Sequence, residues 1–333
     1  MPEFGKFEKK KLTPEKRNED IFEEYQKFVI EKLRENPIEL LPEFSSITVE
    51  ELKEKFPNKK IVACDFYVKE VESGKKDVGG YVFENIINID HHAPTEEMAR
   101  RISSTNLAIE WVKKYGGVPK DWVVAINHTD CDSVLSSAIL RQILPPEEKF
   151  AKAAISADHT GEENEITDLL MALEKERNFE YSLTNLKLLL DGKNLDEKTK
   201  KLLEKRFKER KKAKELVESG AFKQIENIYY VKVDERIDAA FFPALLPEAV
   251  AIMIAIPMKG SDKMEVKIRL GLKAPPGLML NKLALPDFGG RWNAGSTKRH
   301  GGTSIPVEKY AQILNEKIKK ELMKKQLEEM KRI

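Results

Sequence analysis

The chain has 333 residues, with 58 Lys and Arg against 56 Asp and Glu, five His and two Cys. That length suits two ordinary domains, and a net charge of +2 excludes a histone-like, purely electrostatic nucleic-acid binder. The longest apolar run, Ala249 to Ile256, is far too short to span a bilayer, and two cysteines make no disulfide scaffold, so the expectation is a soluble cytoplasmic protein.

Residues 1–55 read as a mostly helical extension. Thr13-Pro14 suits an N-cap and first helical position, and Ile21, Tyr25, Phe28, Val29 and Leu33 follow at helical spacing until Asn36-Pro37. Short apolar runs then take over: Ile61 to Cys64, Ile86 to Ile89, Trp122 to Ile126 and Ala153 to Ile155. Continuous apolar strands with helices between them predict an α/β domain over residues 56–182, a parallel sheet covered by helices on both faces. Residues 183–219 read as a long helical linker, with ten Lys or Arg and two acidic residues between Lys198 and Lys214. This is a solvated basic face rather than a nucleic-acid track. Residues 220–333 predict a smaller α+β domain with strands at 228–233, 250–256 and 264–272. A glycine-rich stretch follows, then a helix from Val307 with Tyr310, Leu314, Ile318 and Leu322 at four-residue spacing. That stripe packs on the second domain or on a second copy of the chain, which leaves a homodimer open.

The chemistry gathers at the ends of the four apolar runs. The first ends in Asp65, the second in Asp90-His91-His92. The third leads to His128-Thr129-Asp130-Cys131-Asp132, and the fourth to Asp158-His159-Thr160-Gly161. In an open parallel sheet the carboxyl ends of strands face one crevice. Four of the five histidines lie in these segments, and the fifth is His300. A lone Asp after a strand is most often a turn or cap residue, but so many carboxylates without matching cations would repel one another. Divalent cations relieve that repulsion, and carboxylates with a few imidazoles suit Mn²⁺, with Mg²⁺, Fe²⁺ or Co²⁺ as neighbours. The ligand count suffices for two metals. Cys64 and Cys131 read as small buried packing residues.

These residues resemble the DHH phosphoesterase superfamily, which includes RecJ-type exonucleases, nanoRNases, pAp phosphatases and family II inorganic pyrophosphatases. Asp90-His91-His92 is its name-giving motif, and Ile102-Ser103-Ser104-Thr105 resembles the serine/threonine segment that follows it. His128-x-Asp130-x-Asp132 resembles the first metal motif, Asp65 the second and Asp158-His159-Thr160-Gly161 the fourth. Leu280 to Ala284 with Gly289-Gly290-Arg291-Trp292-Asn293-Ala294-Gly295 is similar to the glycine motif of the associated C-terminal domain. The sequence departs from the family in three ways. The HxDxD-type motif follows the DHH motif instead of preceding it, Arg291 stands where a His is usual, and Arg269-Leu270-Gly271 replaces a Ser-x-Arg pattern.

The resemblance implies one metal on His128, Asp130 and Asp65, and another on Asp132, His91, Asp158 and the shared Asp65. It also implies that His92 faces the substrate phosphate and that Asp90 orients a histidine. On chemical grounds Gly289-Gly290 lets backbone N–H groups approach a phosphate, and Arg291 and Arg299 suit bidentate pairing with it. Trp292 or His300 suits stacking on a base; the alternative is a structural loop with Trp292 in the core. With Asn293, these complete the expected substrate wall. The expectation is a two-metal, Mn²⁺-dependent phosphoesterase acting on short single-stranded nucleic acid or a nucleotide. A pyrophosphatase or polyphosphatase and a non-catalytic nucleic-acid-binding relative are the alternatives.

Overall fold

The structure, a computed structural model, describes residues 14–42, 47–95 and 97–331. Thr13 and the polar N-terminus lie outside the described residues. Helix α1 (Pro14–Glu35) stops at Asn36-Pro37, and the chain enters strand β1 (Ile38–Leu40). The segment expected to be helical therefore also supplies a strand. After β2 (Ile47–Thr48), helix α2 (Val49–Lys55) starts from a reciprocal cap in which Thr48 and Glu51 bond each other's backbone N–H. Five strands follow: β3 (Ile61–Cys64), β4 (Val68–Lys69), β5 (Lys75–Asp77), β6 (Gly80–Phe83) and β7 (Ile86–Ile89). Helix α3 (Ser104–Tyr115), strand β8 (Val123–Ile126) and helix α4 (Cys131–Leu140) complete the strand-and-helix region.

The first sheet has the order β1-β8-β3-β7-β6-β5, with β1, β8, β3 and β7 parallel and β5–β6 an antiparallel edge hairpin. Both faces are covered. Val62, Cys64, Ile87, Ile89, Val124 and Ile126 pack with α3 and α4 on one side, while Ile61, Ala63, Ile86 and Ala125 pack with Val49 and Leu52 of α2 on the other. That double burial is why these strands read as unbroken apolar runs.

The fourth apolar run is not a strand. Residues 148–155 form helix α5 (Glu148–Ile155), which continues into one turn of π-helix, Ser156–Thr160. Three consecutive apolar residues made too short a signal. Phe150, Ala153 and Ala154 bury one helical face, and alanine favours helix. Asp158 thus projects from a π turn, a feature that often marks functional sites. Helices α6 (Glu165–Leu173), α7 (Phe179–Leu190) and α8 (Glu197–Glu218) follow. The basic α8 is not wholly solvated. Arg206 and Arg210 pair with Asp168 of α6 at 2.8 and 2.6 Å, and Ala213 is buried in the second core.

The second sheet combines β9 (Lys223–Ile225), β10 (Ile228–Lys232), β11 (Ala251–Pro257), β12 (Met264–Leu270), β13 (Gly289–Gly290) and β14 (Ala294–Ser296) in the order β13-β14-β12-β11-β10-β9. Helix α9 (Phe242–Leu245) covers one face and α10 (Val307–Met330) the other, through Tyr310, Leu314 and Ile318. No helix among the described residues is long and apolar enough to cross a membrane.

Candidate metal centre

Parallel pairing in register brings three chain reversals to one edge. Cys64 lies opposite Ile89, and the ladder runs one bond further, because Asp65 N–H donates to Ile89 O at 3.0 Å. Asp65 then turns at φ +60°, a left-handed conformation that Asp tolerates better than most residues and that clusters at functional sites. Asp90, His91 and His92 leave β7 beside it. His128 follows β8, and Asp130 caps α4 by accepting Ser133 N–H at 3.0 Å, which puts Asp132 in the first turn of that helix. Asp65, Asp90, His91 and Asp132 are almost fully buried.

The side chains form three overlapping groups whose ligand atoms lie within 4.8 Å of one another: Asp65, His91 and His92; Asp65, His128 and Asp130; His91, Asp132 and Asp158. His91 Nε2 stands 3.3 Å from Asp158 Oδ2, 3.7 Å from Asp132 Oδ2 and 3.8 Å from Asp65 Oδ1. His128 Nε2 lies 3.0 Å from Asp130 Oδ2 and 3.8 Å from Asp65 Oδ2. Asp65 therefore faces both histidines, one with each oxygen. Among the described residues, neither ring nitrogen of the buried His91 has a hydrogen-bond partner. A fully buried imidazole without a partner, ringed by carboxylates, fits a divalent cation.

Neighbouring donors fix the carboxylates. Ser104 N–H and Thr105 N–H, at the start of α3, each donate to an Asp132 oxygen at 2.7 Å, and the Thr105 hydroxyl adds a bond of 2.5 Å. Ser104 Oγ and Ser133 Oγ donate to the two oxygens of Asp65 at 2.8 and 2.7 Å. Asp90 Oδ1 lies 2.6 Å from His92 Nδ1, and Asp90 Oδ2 accepts His92 N–H, so the His92 ring is locked with Nε2 pointing away. Ser104 belongs to the serine/threonine segment that the sequence reading singled out, whereas Ser133 was missed although it adjoins Asp132.

Burial and mutual repulsion dominate the electrostatics. Burial, then the Asp132, Asp130 and Asp158 charges, push Asp65 well above the usual carboxylate range. Burial and Asp158 raise Asp132 to about 6. Burial pulls His128 down, but Asp130 outweighs it and lifts the imidazole to about 9. His92 falls to about 4, through burial and the charge of His91. A cluster so arranged favours protonation or a cation over bare charge.

The second sheet closes the site. Arg291 Nη2 pairs with Asp158 Oδ1 at 2.9 Å, and its other terminal nitrogen meets His92 Nε2. Burial raises Asp158, yet Arg291 and His91 outweigh it and hold the carboxyl well below its ordinary value. The Asp158 carbonyl accepts from Arg269 Nη1 at 3.1 Å and from Asn293 Nδ2 at 3.2 Å. Gly161, at φ +69°, ends the π turn, and a side chain there would strike Ala240 O. His159 Nε2 donates to Ile102 O at 2.9 Å, and its Nδ1 accepts from Asn293 at 3.2 Å.

A mouth of about 480 Å³ opens onto these groups, lined by Asp65, Tyr67, His92, His128, Arg291 and Arg299 among others. Gly289 and Gly290 pair with β14, and Gly290 packs so closely on Ala294 O that no side chain fits. His300 is exposed and lies 3.3 Å from Asp287 O through Nδ1. Trp292 does not offer a face for a base: it is 6% exposed, in the second core, with its ring 5.5 Å from that of His159. It packs in one cluster with Ile268 and Leu270 of β12 and Tyr310 of α10. Tyr67, half-buried at the mouth two residues after Asp65, is the aromatic group that the sequence reading missed.

No protein-family model matches this chain, and neither does any curated protein. Several solved structures are similar to it at low identity. A pGpG-specific phosphodiesterase from Vibrio cholerae shares 12% identity at a TM-score of 0.42, over 79% of this chain and 98% of that one. An exopolyphosphatase-related protein from Bacteroides fragilis shares 14% at 0.35, over 82% and 75%. The exonuclease RecJ bound to manganese shares 8% at 0.34, over 89% and 93%. In its motifs the chain resembles the DHH phosphoesterases.

Proposed function

We propose that this chain is a divalent-metal-dependent phosphoesterase of the DHH type, which hydrolyses phosphoester bonds of short single-stranded nucleic acid or of nucleotides. The observation that carries this reading is the sharing of Asp65 and His91 among three ligand groups at one sheet edge. His128, Asp130 and Asp65 would hold one cation, and His91, Asp132, Asp158 and Asp65 another. Bound there, divalent cations supply Lewis acidity toward phosphoryl oxygens and a lowered pKa for water, and Mn²⁺ suits this donor set.

The chain's own residues do the positioning. Burial and the charge of His91 keep His92 a neutral imidazole, and Asp90 fixes its tautomer with Nε2 toward the mouth. Arg291 offers a planar fork beside the carboxylates, and Arg299 stands further out on the same wall, so a phosphate is gripped between the two sheets. On this reading residues 56–182, joined by strand β1 from the preceding segment, form the catalytic domain, 183–219 the linker and 220–333 the substrate domain. A pyrophosphatase would need more cations than the Arg291 and Arg299 that line the mouth.

The test is hydrolysis of a panel comprising pAp, di- to pentaribonucleotides, longer single strands and pyrophosphate, with Mn²⁺ and with EDTA. Cleavage of a nucleotide substrate that vanishes in EDTA supports the proposal. Robust hydrolysis in fully chelated buffer would end it, and exclusive cleavage of pyrophosphate would replace the substrate class.

A further inference from the structure

Three strands of the second sheet run in register beside the mouth. Arg269 of β12 pairs with Ala294 of β14, and Lys267 with Ser296, which pairs in turn with Gly289 of β13. Arg291, at the turn from β13 to β14, donates its N–H to Ala294 O at 2.9 Å. Cross-strand partners point to one face, and residues two apart along a strand share it. The register therefore sets two rows on the face that looks toward the metal centre. The inner row, Arg291, Ala294 and Arg269, touches Asp158 through both arginines. The outer row, Gly289, Ser296 and Lys267, lies about 7 Å further along the strands.

Gly289 gives up its place in the outer row to Arg299. A Cβ on Gly289 would stand 3.0 Å from Arg299 Cβ and 2.9 Å from the His300 ring, so the bare backbone lets Arg299 sit over the row and line the mouth. Arg299 and Lys267 thus flank Ser296. Lys267 is half-buried, yet its ammonium has no ion-pair partner among the described residues. The carboxylates that act on it, Glu265 and Asp238, are taken by Arg236 at 2.9 Å and by Arg206 at 3.5 Å. Burial lowers its pKa, and burial with the charges of Arg236 and Lys298 outweighs those two carboxylates. A half-buried cation in that position is costly alone and favours an added anion. Glu265 is the next residue on this face of β12, so the basic run ends after two rows.

Two cationic rows one strand repeat apart select a ligand with two phosphates at a similar separation. Directly linked phosphates, as in pyrophosphate, share a bridging oxygen and stand too close to fill both rows. Phosphates on the 5′ and 3′ oxygens of one sugar are held apart by that sugar, which is the repeat of every nucleic-acid strand. We propose that Arg299, Ser296 and Lys267 form a second phosphate subsite, so that the substrate is a nucleoside phosphorylated on both the 5′ and 3′ sides of one sugar. The proposal rests on the phosphoesterase reading for the inner row, where the scissile phosphate meets Arg291. Such a substrate has two sources, the end of a short strand and a free nucleoside 3′,5′-bisphosphate.

The test compares, on the full chain, ligands that differ only in the second phosphate. Hydrolysis with Mn²⁺ compares pApA with ApA, which share one scissile bond. Isothermal titration in EDTA compares pAp with 5′-AMP and pyrophosphate, and the ratio cancels whatever the metal-free carboxylates do to the shared phosphate. Charge-assisted pairing predicts kcat/KM about tenfold or more higher for pApA than for ApA, and pAp binding tighter than either control by about the same factor. In Lys267→Met and in Arg299→Gln both ratios should fall most of the way to one, whereas Lys267→Arg should keep them. Arg299 is exposed, so Arg299→Gln carries the test even where Lys267→Met fails to fold. Faster turnover of pApA than of pAp assigns the strand end, and the reverse assigns the free bisphosphate. Wild-type ratios near one, ratios unchanged in both variants, or pyrophosphate bound as tightly as pAp would each overturn the subsite, with metal-dependent hydrolysis left standing. Preferential pAp binding that the variants abolish, with no hydrolysis of any member of the panel, would instead keep the subsite and overturn the phosphoesterase reading.

Discussion

Thr105 donates twice to Asp132, through its backbone N–H at 2.7 Å and its hydroxyl at 2.5 Å, across 27 residues of sequence. The first turn of α3 thereby holds a carboxylate that belongs to the first turn of α4. Groups that orient a metal ligand are worth about 10- to 100-fold in metal affinity. Thr105→Val keeps the shape and removes one donor, so Mn²⁺ should bind about tenfold more weakly, with kcat at saturating Mn²⁺ changed much less. Thr105→Ser should restore most of the affinity. Equal Mn²⁺ affinity in Thr105→Val and wild type would show that the backbone bonds alone position Asp132.

Asp65 combines full burial with three carboxylate neighbours. Asp65→Asn removes a like charge from the metal-free cluster while the hydroxyls of Ser104 and Ser133 still find partners. The metal-free protein should therefore melt roughly 2–4 °C higher than wild type, the order expected for about 1 kcal/mol in a chain of this size. Turnover should vanish, and Mn²⁺ should no longer raise the melting temperature. Differential scanning calorimetry with and without Mn²⁺ checks both parts. A lower melting temperature for the metal-free variant would show that Asp65 is already neutralised by its hydrogen bonds.

Arg291 is shared between Asp158 and the mouth. Losing a charge-assisted pair to a phosphate costs about 1.5–3 kcal/mol, so Arg291→Ala should lower kcat/KM by about 10- to 100-fold. Because the same guanidinium occupies an Asp158 oxygen, Mn²⁺ affinity should stay level or rise. Arg291→Lys should recover only part of the rate, since Lys keeps the charge and loses the fork. Steady-state kinetics at fixed ionic strength, with a parallel Mn²⁺ titration, separates the two effects. A fall in Mn²⁺ affinity as large as the fall in kcat/KM would make Arg291 a support for the metal centre instead.

Strands β3, β7 and β8 and the acidic residues at their ends were legible because double burial writes unbroken apolar runs. The histidines concentrated at those ends marked the site. Asp158 was placed correctly beside its partners but on the wrong element, since Ala153 to Ile155 is apolar in either a strand or a helix. Strand β1 was invisible at three residues long. The contacts that Arg269 and Asn293 make with the Asp158 carbonyl span 111 and 135 residues and leave no local pattern. Trp292 shows the opposite failure: an aromatic residue beside a glycine motif suggested stacking, and only the packing of α10 on the second sheet reveals it as core.

Asp196 caps α8, with Oδ1 accepting Lys198 N–H at 2.9 Å and Thr199 N–H at 3.1 Å while the Tyr181 hydroxyl adds a further bond. Burial raises its pKa, but the bonds from Thr199, Tyr181 and Lys198 outweigh burial and leave it below the ordinary value. A depressed carboxyl contributes stability above the unfolded pKa of about 4, and that contribution is lost as pH falls through the folded value. Asp196→Ala should cost about 1 kcal/mol at pH 7, and the gap from wild type should close below pH 4. Melting curves between pH 3 and pH 7 test this, and a gap that does not narrow with acid would remove the carboxylate charge from the explanation.

The anchoring of Asp158 from the second sheet has a consequence for synthesis. All the proposed ligands, from Asp65 to Asp158, leave the ribosome before Arg269 and Asn293, which follow Asp158 by 111 and 135 residues. At about 5–20 residues per second that interval is roughly 5–30 s. During it the nascent chain carries the carboxylate cluster with its π turn unheld and without the neutralising Arg291. On the proposed reading, cation capture in that window, before the second sheet exists, would be the earliest event to quiet the repulsion, so metal loading would begin while the second sheet is still unmade.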